Sequence, residues 1–160
     1  MRLVLLALLS TALPAAAQTL GGGEPLTARD VVTWRVGAEH GARGGVASVV
    51  LRAEIADGWH LYAVGSPVGR PLEVELLQAP PGVSGGPLRQ SDPHEGTDPG
   101  LGVPYLYFSE EARVVLPLRI GQGVALGRHT VRGAIRYAVC DDSVCLPPTE
   151  SRFRVPLVVR

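Results

Sequence analysis

Two side chains in this 160-residue chain are suited to reversible covalent redox chemistry: Cys140 and Cys145, its only cysteines. The chemistry open to such a pair is thiol–disulfide exchange, in which a thiolate attacks a disulfide sulfur and passes through a mixed disulfide. The residues between them, Asp141-Asp142-Ser143-Val144, are turn formers. Residues that flank a four-residue hairpin loop face each other, and cross-strand Cα separations of ~4.5–5.5 Å lie within the range a disulfide tolerates. Alternation along the preceding strand sets Cys140 on the side of Arg132 and Arg136, which predicts that it reaches solvent. Asp141 and Asp142 disfavour a thiolate beside them, and the sequence offers no helix N-terminus to lower a thiol pKa. Such a pair relies on a docking partner that brings its own reactive sulfur, which is the behaviour of a relay. The competing reading is a non-catalytic binding or assembly module with a structural disulfide. A loop this small contributes roughly 2 kcal/mol, against more than ~4 kcal/mol for a loop of about a hundred residues. A staple placed for stability would gain more from a wider loop.

Other chemistry finds little support. There is no Lys, which excludes Schiff-base and Ser-Lys mechanisms, and no Ser-His-Asp arrangement is legible. His40, His60, His94 and His129 are scattered, and none has ligand spacing to a cysteine, so neither metal nor cofactor is expected. The 15 basic residues, all Arg, balance 15 acidic ones, which gives no reason to expect nucleic acid or an anionic membrane as partner. Trp59 and Tyr62 suit either a core or the lining of a site. The Glu110-Glu111 pair reads as a solvated turn.

The elements that must position the cysteines are strands. Ala47, Val49, Leu51, Ala53 and Ile55 alternate with polar residues. So do Leu72, Val74 and Leu76; Val114, Leu116, Leu118 and Ile120; Val131, Ile135, Tyr137 and Val139; and Phe153, Val155, Leu157 and Val159. Each is a half-buried strand by its period of two. Trp34 and the segment 59–64 add further strands. About seven short strands separated by Gly and Pro, with no amphipathic helix, predict an all-β antiparallel sandwich. The segment 78–104 holds six Pro and six Gly, and only 83–90 within it reads as another short strand. Residues 91–104 are expected to be a loop folding over the site.

Ahead of these strands, Arg2, the apolar run Leu3–Leu13 and Ala15-Ala16-Ala17 have the pattern of a secretory signal covering residues 1–17. A flexible leader over 18–25 and a single domain over 26–160 follow from it, as does export from the cytoplasm.

The stretch Tyr137-Ala138-Val139-Cys140-Asp141-Asp142-Ser143-Val144-Cys145-Leu146-Pro147-Pro148-Thr149-Glu150 resembles the active-site hairpin of the N-terminal periplasmic domain of DsbD, the thiol:disulfide interchange protein. Asp57-Gly58-Trp59-His60-Leu61-Tyr62 is similar to that family's Gly-aromatic-x-Leu-Tyr strand, and Leu116-Pro117-Leu118 to the strand after its cap loop. The resemblance implies an immunoglobulin-like sandwich that relays reducing equivalents. Its donor would be a thioredoxin-like domain or membrane thiol reductase, and its acceptors periplasmic thiol proteins, including those of cytochrome c biogenesis. It further implies that Cys145 exchanges, that Cys140 resolves, and that Tyr62 lines the site, with Trp59 and Tyr137 beside it and Leu101 or Tyr105 as the capping side chain. A monomer is expected. Gln90 stands where many relatives carry Trp.

Overall fold

The computed structural model describes residues 25–98 and 101–160. The expected signal and all but the last residue of the expected leader lie outside the described residues. No helix among the described residues is long and apolar enough to cross a membrane.

One helical turn, α1 (Ala28–Val31), precedes the strands. It begins at a capping box in which Thr27 and Asp30 satisfy each other's end groups. Its sequence signal, Thr-x-x-Asp, is too brief to show as an apolar period.

The strands then run in order: β1 (Val32–Ala38), β2 (Val46–Ile55), β3 (His60–Tyr62), β4 (Glu73–Gln78), β5 (Val83–Gly85), β6 (Arg89–Gln90), β7 (His94–Thr97), β8 (Pro104–Phe108), β9 (Glu111–Ile120), β10 (Gly127–Tyr137), β11 (Val139–Cys140) and β12 (Thr149–Val159). All strand pairings are antiparallel. One sheet has the order β1-β2-β9-β5, with β6 also on β9; a second has the order β12-β10-β4. Their inward residues, among them Val49, Leu51, Val114, Leu118, Val131, Ile135, Val155 and Leu157, form one buried cluster between the two layers.

The fold is therefore the expected all-β sandwich, with one addition. A third sheet, β11-β3-β8-β7, stands beside the two layers and carries Cys140. Its outermost strand, β7, lies within the segment 91–104 expected to be a loop. Residues 94–97 and 104–108 instead pair as a hairpin, in register from His94↔Tyr107 to Thr97↔Pro104. The Gly and Pro residues that hid it lie largely in its turn and flanks. Backbone pairing with β3, at Leu61↔Phe108 and Tyr62↔Tyr107, supplies the order that local propensity lacks.

Candidate functional site: a disulfide at the floor of an acidic cleft

β10 turns Arg132 and Arg136 outward between buried residues, and from Tyr137 to Cys140 four successive residues are all buried. Here the chain leaves the second sheet and joins the third, where Val139 pairs with Leu61 and Cys140 with His60. The change of sheet breaks the period. Cys140 is only 8 % exposed, contrary to the solvent reach expected from its phase. Cys145, by contrast, is exposed.

The two cysteines are joined by a disulfide with Cα atoms 3.9 Å apart, closer than an ordinary cross-strand pair. The turn between them pinches the ends together. The Asp141 N–H donates to the Val144 carbonyl at 2.9 Å, and Asp141 Oδ1 accepts from the N–H groups of Ser143 and Val144 at 2.7 and 2.6 Å. These two amide donors hold the Asp141 carboxyl below the usual carboxylate range, with the charge of His60 acting in the same direction. Beyond the turn, the Leu146 N–H returns to the Val139 carbonyl at 2.9 Å.

A cleft of about 320 Å³ opens over the disulfide. Tyr62 and Tyr105 form one wall, with ring centroids 5.9 Å apart, and Asp98 and the Asp141–Val144 turn contribute the rest. The Tyr62 hydroxyl lies 3.5 Å from Cys140 Sγ. Burial raises the pKa of that hydroxyl, and Tyr105 and Asp98 raise it further. Burial also raises that of Tyr105, ahead of the effects of Tyr107, Asp142 and Asp98. Both rings need glycine beside them. A Cβ on Gly69 would lie 2.4 Å from the Tyr62 ring, and one on Gly96 2.7 Å from the Tyr105 ring. Gly69 also holds φ at +76°, a conformation that favours glycine.

The hairpin β7–β8 is tied at its base to the end of β3. Gln90 clamps Val64 on both sides, with the Val64 N–H donating to Oε1 at 2.9 Å and Nε2 donating to the Val64 carbonyl at 3.1 Å. The Ala63 N–H donates to the Leu106 carbonyl, and the Leu106 N–H donates to Ser66 Oγ. The Gln90 side chain thus works as a two-point amide bridge.

The sequence-derived candidates divide. Cys140, Cys145, Tyr62 and Tyr105 come together in the cleft. Tyr137 does not; it is fully buried in the core, edge-on to Trp34 at 5.6 Å. Trp59 packs half-buried against the same core, and Leu101 is exposed in the hairpin turn with its N–H on Asp98 Oδ1, neither of them lining the cleft. His60 and Asp98 were not read as lining residues. For His60 a signal was present, since it shares the phase of Tyr62 along β3. Among the described residues no group of three His, Cys, Asp or Glu is placed to hold a metal ion.

The family description "Thiol:disulfide interchange protein DsbD, N-terminal" matches residues 28–157. The chain belongs to this family. Its fold is shared with the Neisseria meningitidis DsbD N-terminal domain, solved in the reduced form, at 24 % identity and a TM-score of 0.50 over 67 % of this chain and 74 % of that one. It is also shared with the N-terminal periplasmic domain of ScsB from Proteus mirabilis, at 17 % identity and a TM-score of 0.56 over 78 % of this chain and 46 % of that one. The match thus spans less than half of the ScsB domain. No curated protein sequence matches the chain significantly. As a DsbD N-terminal domain with a disulfide-bonded cysteine pair, this protein has the equipment of a thiol–disulfide exchange relay.

Proposed function

We propose that this domain relays reducing equivalents outside the cytoplasm. It would take them from a thioredoxin-like domain or membrane thiol reductase and pass them to periplasmic thiol proteins. The observation that carries this reading is the asymmetry of the disulfide: one sulfur is exposed at Cys145 and the other is buried at Cys140, under an open cleft. A partner thiolate can reach only the first of them directly. Cys145 is accordingly the exchanging sulfur and Cys140 the resolving one. The test is redox equilibration of the native domain with a thioredoxin or glutathione couple. A relay pair should equilibrate at a potential above about −300 mV. A pair that stays oxidised below that value until the domain unfolds would leave the binding-module reading in its place.

The hairpin β7–β8 serves as the cap of this site, because Asp98 at its turn and Tyr105 on β8 both line the cleft. Gln90→Ala unties its base and leaves the Val64 N–H and carbonyl without their side-chain partners. Urea unfolding should show a loss of about 1–3 kcal/mol. Alkylation of reduced Cys145 by a bulky maleimide should become faster than in the wild type. An unchanged alkylation rate, with the stability loss present, would show that the hairpin does not restrict access.

A further inference from the structure

Among the described residues, the disulfide cleft is lined by three carboxyl groups, at Asp98, Asp141 and Asp142, and by no arginine. Its one side chain able to carry positive charge is His60. His60 is the backbone partner of Cys140 in the β3–β11 ladder, and both residues line the cleft. Directly paired residues on one face of a sheet have Cβ atoms about 4.5–5.5 Å apart, which is within reach of a ring nitrogen and a sulfur.

Attack on the exposed Cys145 sulfur makes the buried Cys140 sulfur the leaving group. A thiolate formed there is disfavoured twice, by burial and by the adjacent carboxylates, so it needs a proton. The nearby groups can be compared. The Tyr62 hydroxyl, 3.5 Å away, can donate a hydrogen bond, but burial makes it a weaker acid than an ordinary tyrosine. Asp141 is held as its anion by the turn amides. Histidine is the side-chain type that ordinarily exchanges its proton between pH 5 and 8.

We propose that His60 is the acid–base group of the exchange, giving its proton to the Cys140 sulfur when the disulfide opens and taking it back when the disulfide re-forms. This inference rests on the exchange function proposed above. In the opening step the partner thiolate forms a bond to Cys145 Sγ, the Cys140–Cys145 bond breaks, and the electron pair goes to Cys140 Sγ, which takes the proton from the imidazolium. The partner's second thiolate then attacks the partner sulfur of the mixed disulfide and releases Cys145 as a thiolate, which takes a proton from water, and the imidazole is reprotonated from water. The partner dithiol is oxidised and the domain disulfide reduced by two electrons; the two protons that the partner thiols give up to water are matched by the two taken up from it.

The groups facing His60 are these. From β11 comes Cys140, and from the following turn Asp141 and Asp142. From β8 the Tyr107 ring packs against the imidazole at 4.8 Å, and Tyr105 follows it. From β7 His94 packs, tilted, against the same Tyr107 ring at 5.3 Å. Tyr62 on β3 and Asp98 in the hairpin turn complete the set.

The experiment is reduction of the oxidised full-length mature domain by excess dithiothreitol between pH 5 and 8, with each rate divided by the dithiothreitol thiolate concentration. The corrected rate should be highest at low pH and fall as pH rises through the imidazole range. In His60→Gln it should be flat, and about a hundredfold or more below wild type at the acid end. His60→Phe keeps a ring against Tyr107 and should behave like His60→Gln, which separates proton transfer from packing. A flat corrected profile in the wild type overturns the role of His60 without reference to any variant. A variant that is slower but keeps the wild-type pH profile also overturns it, because that is the signature of a structural contribution. If the wild type is not reduced at any pH while folded, it is the exchange reading itself that fails, together with the inference built on it.

Discussion

Replacing Cys140 with alanine should turn the domain into a covalent trap for its partners. In that variant the exposed Cys145 thiol can still attack the disulfide of an oxidised thioredoxin-like protein, but the domain has no second thiol to release the mixed disulfide. Non-reducing electrophoresis should show a complex that dissolves on adding reductant. Cys145→Ala should form on the order of tenfold less complex, or lower still, since a buried sulfur is a poor nucleophile. Its remaining thiol is 8 % exposed, lies beneath the Tyr62 hydroxyl, and sits directly beside Asp141. Burial and the adjacent carboxylate both keep such a thiol protonated. Equal trapping by the two variants would show that the burial asymmetry does not set the roles. Either variant should abolish turnover altogether, because a relay needs both sulfurs.

The second large effect concerns stability. Tyr137→Ala should destabilise the oxidised domain by about 3–5 kcal/mol, the ordinary cost of deleting a buried aromatic ring. The ring is fully buried, stands edge-on to Trp34, and joins the end of β10 to the inner face of β1. Thermal unfolding should shift by ~10 °C or more. Tyr137→Phe removes only the contact between the hydroxyl and Ser151 Oγ at 3.3 Å and should cost about 1 kcal/mol. It should leave the exchange rate unchanged. If Tyr137→Phe slowed exchange at unchanged stability, Tyr137 would belong to the site and not to the core.

Tyr137 also shows how two readings of one residue can conflict. Its phase groups it with Val131, Ile135 and Val139, all of them buried. The resemblance of the hairpin motif placed it next to the chemistry. The period was the better guide, because side-chain direction in a strand is a local property. The same rule failed three residues later at Cys140. There the chain crosses from one sheet to another, and a run of four buried residues has no phase to extrapolate. The hairpin β7–β8 failed to register for a related reason. Residues 94–97 are His-Glu-Gly-Thr, with no apolar alternation, and their order comes from pairing with β8. The long strands β2, β9, β10 and β12 were legible because each buries one face in the common core and presents the other to water.

The amino-acid sequence by itself determined the chemistry and the main elements. Two cysteines flanking an acidic four-residue turn are suited to pairing and to thiol–disulfide exchange, and the strands announce themselves through a period of two. Which sulfur is exposed, and what surrounds the buried one, was decided only by the tertiary structure. Tyr62 meets Cys140 across 78 residues of sequence, and His60 faces Cys140 only because β3 pairs with β11. Asp98 enters the cleft only because the hairpin folds back through β8 onto β3. Proton supply and access at the disulfide depend on these contacts. They arise from sheet pairing between distant segments, and no local pattern of residues encodes that pairing.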